Sequence, residues 1–225
     1  MEGQFDLGRE VLKWIALTTM TIDHVGAILY PEQTVLRLIG RLSFPLYCYL
    51  IVLGVESTRN VRSYFIRLFI FALVSQVPFY LALGVGPFES FNIFFTLSFG
   101  VLFIFFLKKK SLLVFLPLLA SSLNFDYSIY GILLIGSMYI LRGDEKSGAA
   151  SIVLLNLLFL PMWPAQIFSL LSLPIILLYN SGSLKIHREP KGKTAYPFWR
   201  KYFFYLYYPL HLTLLYIVKL NYFSS

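Results

Sequence analysis

The stretch VLKWIALTTMTIDHVGAILY, residues 11–30, is an apolar run of helix length with the dipeptide Asp23-His24 in its middle. About twenty apolar residues are what an α-helix needs to cross the hydrocarbon core of a bilayer. An ionisable side chain at the centre of such a helix costs about 2.5 to 3.5 kcal/mol on insertion scales, so it is kept where it faces a bundle interior or an aqueous cavity. The run therefore predicts a membrane-spanning helix and marks a functional site on it.

The rest of the chain agrees with the first half of that reading. Hydrophobic residues make up 58% of the 225 and charged residues 13%, with a mean hydropathy of +0.72, which leaves too little polar surface to coat a soluble globule. The expected fold is all-α: a polytopic transmembrane helix bundle in one domain, 1–225. Spans are expected near 12–30, 36–54, 64–83, 91–107, 111–125, 127–141, 149–161, 164–179 and 202–220. That is about nine spans, or seven if the segment around Pro161-Met162-Trp163-Pro164 is the tip of a re-entrant hairpin. Residues 1–10 carry three carboxylates and one arginine, with no basic region or small-residue cleavage site, so no removable signal peptide is expected. Cys48 is the only cysteine, which excludes an internal disulfide and a thiolate metal cluster. No metal is expected.

A net charge of +8 raises nucleic acid as a partner, but the basic residues lie in short clusters between apolar runs, and topology explains them better. With the N-terminus cytoplasmic and nine spans, every lysine and arginine except Arg37, Arg41 and Lys219 falls on inside segments, as the positive-inside rule requires. The expectation is a multi-pass protein of the cytoplasmic (inner) membrane with its C-terminus outside. Lys108-Lys109-Lys110 would contact anionic lipid. The polar stretch from Asn180 to Tyr196, with His187, reads as an exposed loop.

Polar residues from several spans converge at one depth. Asp23 and His24 lie about 16 to 18 Å along the first span, just past the midplane of a core about 30 Å thick. His211 is at comparable depth in the last span. Arg41, Gln76, Asn92, Thr96 and Asp126 lie toward the outward ends. Arg37 and Arg41 are four apart and share a helix face, and a buried carboxylate is best met by a guanidinium. Asp23 should pair with one of them, leaving His24 to point toward His211 or into a cavity. Isolated Asn, Gln, Thr or Asp residues more often serve as caps and interhelical hydrogen bonds, and Pro45 and Pro78 as kinks.

The run WIALTTMTIDHVG (14–26) resembles the opening signature of the TraX family. Further matches follow in order: RLIGRLSFP (37–45), Thr58-Arg59-Asn60, SQVPF (75–79), Asn92 to Gly100, Asp126-Tyr127 with Gly131, Tyr179-Asn180 and YPLHL (208–212). The resemblance implies an integral-membrane acetyltransferase, similar in architecture to membrane acyltransferases that carry acetyl groups from cytoplasmic acetyl-CoA to surface glycans. The acceptor, a protein N-terminus or a glycan, stays open.

Acetyl transfer needs a base for the attacking amine or hydroxyl and a donor or cation where the thioester oxygen becomes negative. His24 or His211 would be the base, with Asp23 holding the arrangement and Arg41 stabilising negative charge directly or by positioning Asp23. Arg37, Asn92, Thr96, Asp126 and Gln76 are substrate-binding candidates. Arg59, Arg62 and Arg67 would hold the acetyl-CoA phosphates at the cytoplasmic entry, although no Gly-rich phosphate loop is present. No serine or cysteine is placed as a nucleophile, which favours direct transfer. Two other classes fit the same residues: a proton-coupled transporter of a small solute using Asp23, His24 and His211 as a relay, and a non-enzymatic membrane scaffold.

Overall fold

A computed structural model describes residues 5–183, 187–188 and 198–222. Most of the expected polar loop, residues 184–186 and 189–197, lies outside the described residues. The helices are α1 (Leu7–Ile28), α2 (Thr34–Gly40), α3 (Ser43–Ser57), α4 (Val61–Leu83), α5 (Ile93–Lys108), α6 (Phe115–Ala120), α7 (Ser128–Gly143), α8 (Glu145–Phe159), α9 (Ser172–Asn180) and α10 (Phe198–Tyr222). Two 3-10 turns, Leu112–Val114 and Pro164–Leu171, precede α6 and α9. The short strands Phe5–Asp6 and His187–Arg188 pair antiparallel.

Side-chain caps set several helix starts. Asp6 accepts from the Arg9 N–H at the start of α1, Asn60 from Ser63 at α4 and Asn92 from Phe94 at α5, which satisfies N–H groups that have no partner within the helix. Asp144 does the same for α8, and the Ser147 hydroxyl, with the backbone N–H groups of Lys146 and Ser147, holds its carboxyl below the usual range.

The helix ends show the up-and-down order. Arg9 at the start of α1 bonds Ser57 at the end of α3. Arg142, ending α7, bonds Glu56 and Asn180, the latter ending α9, and Asn180 bonds Glu145 at the start of α8. Lys108, ending α5, lies over the Tyr139 ring of α7. These termini share one end of the bundle, which also carries Arg59 and Arg62 and is called here the basic end.

The result is an all-α polytopic membrane bundle. Thr34–Ser57, Val61–Leu83 and Tyr202–Asn221 are each long and apolar enough to cross a membrane, while Ile93–Lys108, Ser128–Gly143 and Pro164–Asn180 are apolar but shorter. α3 is buried nearly all round, with Leu46, Cys48, Tyr49 and Val52 inaccessible, as befits a helix at a bundle centre. α4 instead presents Ile66, Ile70, Leu73, Val74 and Val77 outward, a stripe that lipid tails solvate as well as protein does.

Three expected spans are not single regular α-helices, although 36–54 falls within Thr34–Ser57, which is long and apolar enough to cross a membrane. The segment 36–54 is α2 and α3 with a break at Arg41-Leu42, because Pro45 has no N–H for the Arg41 carbonyl and its ring crowds that group. The segment 111–125 is not one helix but a 3-10 turn, the six-residue α6 and further turns, with Pro117 interrupting the hydrogen-bond ladder. The segment 164–179 opens as a 3-10 turn and becomes α-helical only from Ser172.

Candidate functional site

Asp23, one turn before the end of α1, meets both arginines of the broken second element. Arg37 Nη1 donates to Asp23 Oδ2 at 2.6 Å and to the Asp23 carbonyl at 3.3 Å, and Arg41 Nη2 lies 4.0 Å from Oδ1. α2 reaches α1 this closely because residue 40 is glycine: a Cβ there would stand 2.1 Å from Asp23 Oδ1. The break after Gly40 turns Arg41 away from a second close pairing. Its Nη1 donates instead to the Tyr127 hydroxyl at 3.4 Å and to Gln166 Oε1 at 3.3 Å. Asp23 Oδ1 and Arg41 Nε are left buried with unused hydrogen-bonding capacity, a feature that in a native interior calls for an explanation.

His24 points from α1 toward α10. Its Nδ1 is 2.8 Å from His211 Nε2, and His211 Nδ1 is 2.9 Å from the Tyr207 carbonyl. A carbonyl only accepts, so His211 carries its proton on Nδ1, its Nε2 accepts, and His24 Nδ1 donates. In the neutral pair the remaining lone pair is on His24 Nε2. Aromatic rings fix the dyad: Tyr207 stacks on His211 with centroids 5.0 Å apart, and Tyr208 stands edge-on to His24.

A cavity of about 320 Å³ opens beside these groups, walled by Asp23, His24, Arg37 and Arg41 from one side and by Asp126, Tyr127, Trp163 and Gln166 from the other. That volume is at the lower end of the range for small-ligand sites, roughly 300 to 1,000 Å³. A smaller cavity of about 50 Å³ continues from it past Asp23 and His24 to Tyr47 and Tyr208. Two carboxylates and two guanidiniums therefore share one lining. Among the described residues, no group of three His, Cys, Asp or Glu side chains is placed to hold a metal ion.

Asp126 is delivered by an unusual connection. Asn124, Tyr127 and Ser128 all have positive φ, +59°, +62° and +42°, a conformation that costs non-glycine residues energy and needs outside support. The support is visible: Asp126 N–H donates to the Phe91 carbonyl at 2.7 Å, the Thr96 hydroxyl donates to the Asp126 carbonyl, and the Tyr127 ring stacks on Phe44 at 3.8 Å.

The other expected substrate-binding residues stand behind the wall. Asn92 caps α5 and donates to the Ala72 carbonyl and Gln76 Oε1, at 2.7 and 2.8 Å. Gln76 Nε2 holds the Ser90 carbonyl at 2.8 Å. These two and Thr96 brace the loops that carry Ser90 and Asp126, and none of the three lines the cavity. At the basic end, Arg59 and Arg62 are exposed, while Arg67 is half-buried against the Tyr64 ring. The sequence reading passed over Tyr127, Trp163 and Gln166. Tyr127 adjoins Asp126 in a motif already singled out, and Gln166 is an amide inside an apolar run; both were available signals.

Fold and cavity together define a polytopic membrane protein with a buried carboxylate, arginine and histidine centre. A model of the TraX family, described as TraX protein, matches residues 8–219, and the chain belongs to that family. It is 28% identical over 242 residues to a probable fimbrial assembly protein FimC, serogroup H1, of Dichelobacter nodosus, covering 98% of this chain and 99% of that protein. Protein TraX of Escherichia coli is 24% identical over 223 residues, covering 94% and 87%. An uncharacterized protein of Rickettsia prowazekii is 29% identical over 102 residues, 45% of this chain and 38% of that protein. No solved structure matches the chain.

Proposed function

We propose that this protein is an acetyltransferase of the cytoplasmic membrane, N-terminus inside, that moves an acetyl group from cytoplasmic acetyl-CoA to an amine or hydroxyl acceptor reached from the membrane or the outer face. The observation that carries the reading is the oriented dyad, with His24 on the cavity wall. The Tyr207 carbonyl fixes His211, His211 fixes His24, and the free lone pair falls on His24 Nε2, which makes His24 the base and His211 its positioning residue.

In the reaction, the acceptor nitrogen or oxygen attacks the thioester carbon while His24 Nε2 takes the acceptor proton. The imidazolium shares its charge with His211 through the Nδ1 hydrogen bond. The carbonyl oxygen, now negative, faces the Arg41 guanidinium, whose Nε has no partner among the described residues. Collapse breaks the carbon–sulfur bond, and the same proton passes from His24 to the departing sulfur. Asp23, held by Arg37, balances the cationic wall. Likeness to a probable fimbrial assembly protein supports an acceptor displayed at the cell surface.

The test is transfer of radiolabelled acetyl from acetyl-CoA in membranes containing wild type, His24→Ala or His211→Ala at equal folded amounts, with cell-envelope extract as acceptor pool. Histidine-dependent label transfer is expected. Wild-type membranes that release no CoA and transfer no label would overturn the reading in favour of the proton-coupled transporter, for which uptake into proteoliposomes is the assay.

A further inference from the structure

At the basic end, some way from the cavity, two arginines turn inward. Arg9, in the first turn of α1, and Arg67, in the second turn of α4, each have a fully buried Nε with no hydrogen-bond partner among the described residues. Arg9 Nη1 donates to Ser57 Oγ at 3.1 Å, and Arg67 lies 5.7 Å from the centre of the Tyr64 ring. The Tyr64 hydroxyl rests on Gly54, where a Cβ would stand 2.5 Å away, one turn before Ser57. Tyr64 and Tyr205 each lie within the field of both guanidiniums. The two cations thus flank a pair of tyrosine hydroxyls between α1, α3, α4 and α10.

Nearby carboxylates among the described residues are engaged elsewhere. Asp6 accepts from the Arg9 backbone and the Tyr179 hydroxyl, Glu10 pairs with Lys13 at 2.7 Å, and Glu56 pairs with Arg142 at 3.2 Å. Among the described residues neither the Arg9 nor the Arg67 guanidinium has a carboxylate within 4.0 Å. Both side chains are half-buried, and two guanidiniums without a carboxylate partner, beside tyrosine hydroxyls, offer the charge and hydrogen-bond donors that a phosphate takes.

We infer that Arg9 and Arg67, with Tyr64 and Tyr205, form a binding site for a phosphate-bearing ligand, and that its ligand is the phosphate end of the acyl donor. The second clause rests on the acetyl-transfer reading. Arg9 and His24 are fifteen residues apart on one helix, about 22 Å at 1.5 Å per residue, a separation suited to an extended pantetheine arm. Tyr47 and Tyr208, which line the small cavity below His24, stand on the way. Arg59 and Arg62 are exposed at the same end.

The experiment is binding of desulfo-coenzyme A, which has no thiol to acylate, to full-length protein in nanodiscs of neutral lipid. Arg9→Gln and Arg67→Gln are each expected to weaken it by about tenfold or more, as for loss of a charged hydrogen bond. Arg9→Lys should retain part of the affinity, and Lys146→Gln, at an exposed residue of the same end, should leave it unchanged. Unfolding midpoints of all variants, measured in parallel, separate lost binding from lost fold. Binding that survives both glutamine changes in folded protein overturns the site. If desulfo-coenzyme A fails to bind but phosphatidylglycerol added to the nanodiscs raises the unfolding midpoint through Arg9 and Arg67, the phosphate site stands with a lipid headgroup as its ligand, and its assignment to the donor is overturned. If binding is as expected while acetyl transfer fails, the fault lies with the proposed reaction and not with the site.

Discussion

At the scale of single residues, the dyad depends on who donates to whom. His211 serves His24 by presenting a lone pair at Nε2, so a side chain that accepts a hydrogen bond there should preserve part of the function and an apolar one should not. His211→Leu is expected to lower acetyl transfer by about 10² or more, within the range for general-base catalysis, and His211→Gln by clearly less; equal losses would mean that His211 does more than orient. Gly40→Ala tests Asp23 without altering it. The new Cβ would stand 2.1 Å from Asp23 Oδ1, so the carboxylate must leave Arg37, and transfer should fall at least about tenfold with the acetyl-CoA KM little changed. These residues were legible because a charge inside an apolar run stands out. Asp23, His24, Arg37, Arg41 and His211 each interrupt such a run. Trp163 was not, since in a chain with 16 tyrosines and 22 phenylalanines one more aromatic residue has no contrast.

Elements were legible where helices run unbroken and illegible where proline or a polar network reshapes them. The hairpin formed by α8, the Pro164–Leu171 turn and α9 shows the second case. Tyr130 of α7 donates to Asn156 Oδ1 at 3.3 Å, Ser169 donates to the same atom at 2.9 Å, and Asn156 Nδ2 is tied to the Ile152 carbonyl at 2.9 Å. Gln166 Nε2 donates to the Tyr130 hydroxyl at 3.2 Å, which turns Gln166 Oε1 toward Arg41. Hydrophobic periodicity carries no trace of this chain of bonds, because it joins residues from separate elements. Asn156→Leu should strand the Tyr130 and Ser169 hydroxyls and destabilise the fold by about 1 to 3 kcal/mol, read as a lower unfolding midpoint in detergent. Gln166→Leu should affect stability in a similar way and also lower kcat, because Arg41 is then free to close on Asp23. A loss of stability with kcat intact would assign Gln166 to the hairpin alone.

For the whole molecule, the decisive quantity is thickness. α5, α7 and α8 have 16, 16 and 15 residues and rise only about 24, 24 and 22 Å, against a hydrocarbon core of about 30 Å. The 23-residue α4 has no such deficit. Between Lys110 and Ser128 the chain returns from the basic end to the opposite end with only the six-residue α6 and a three-residue 3-10 turn as helix. Leu112, Phe115, Leu116, Leu119 and Leu123 face outward along it. Irregular backbone in hydrocarbon leaves polar groups unmet, so this flank is best accommodated where the bilayer is thin, and mismatch is penalised by fractions of a kcal/mol per Å. The unfolding midpoint in nanodiscs of monounsaturated phosphatidylcholine should accordingly be highest with short chains and fall steadily as the chains lengthen. Donor binding at Arg9 and Arg67 should follow the same trend, since a thick bilayer that strains the short helices also moves the basic end relative to His24. A midpoint independent of chain length would mean that the short flank is covered by protein, and crosslinking from Leu116 and Leu119 would then be the way to find what covers it.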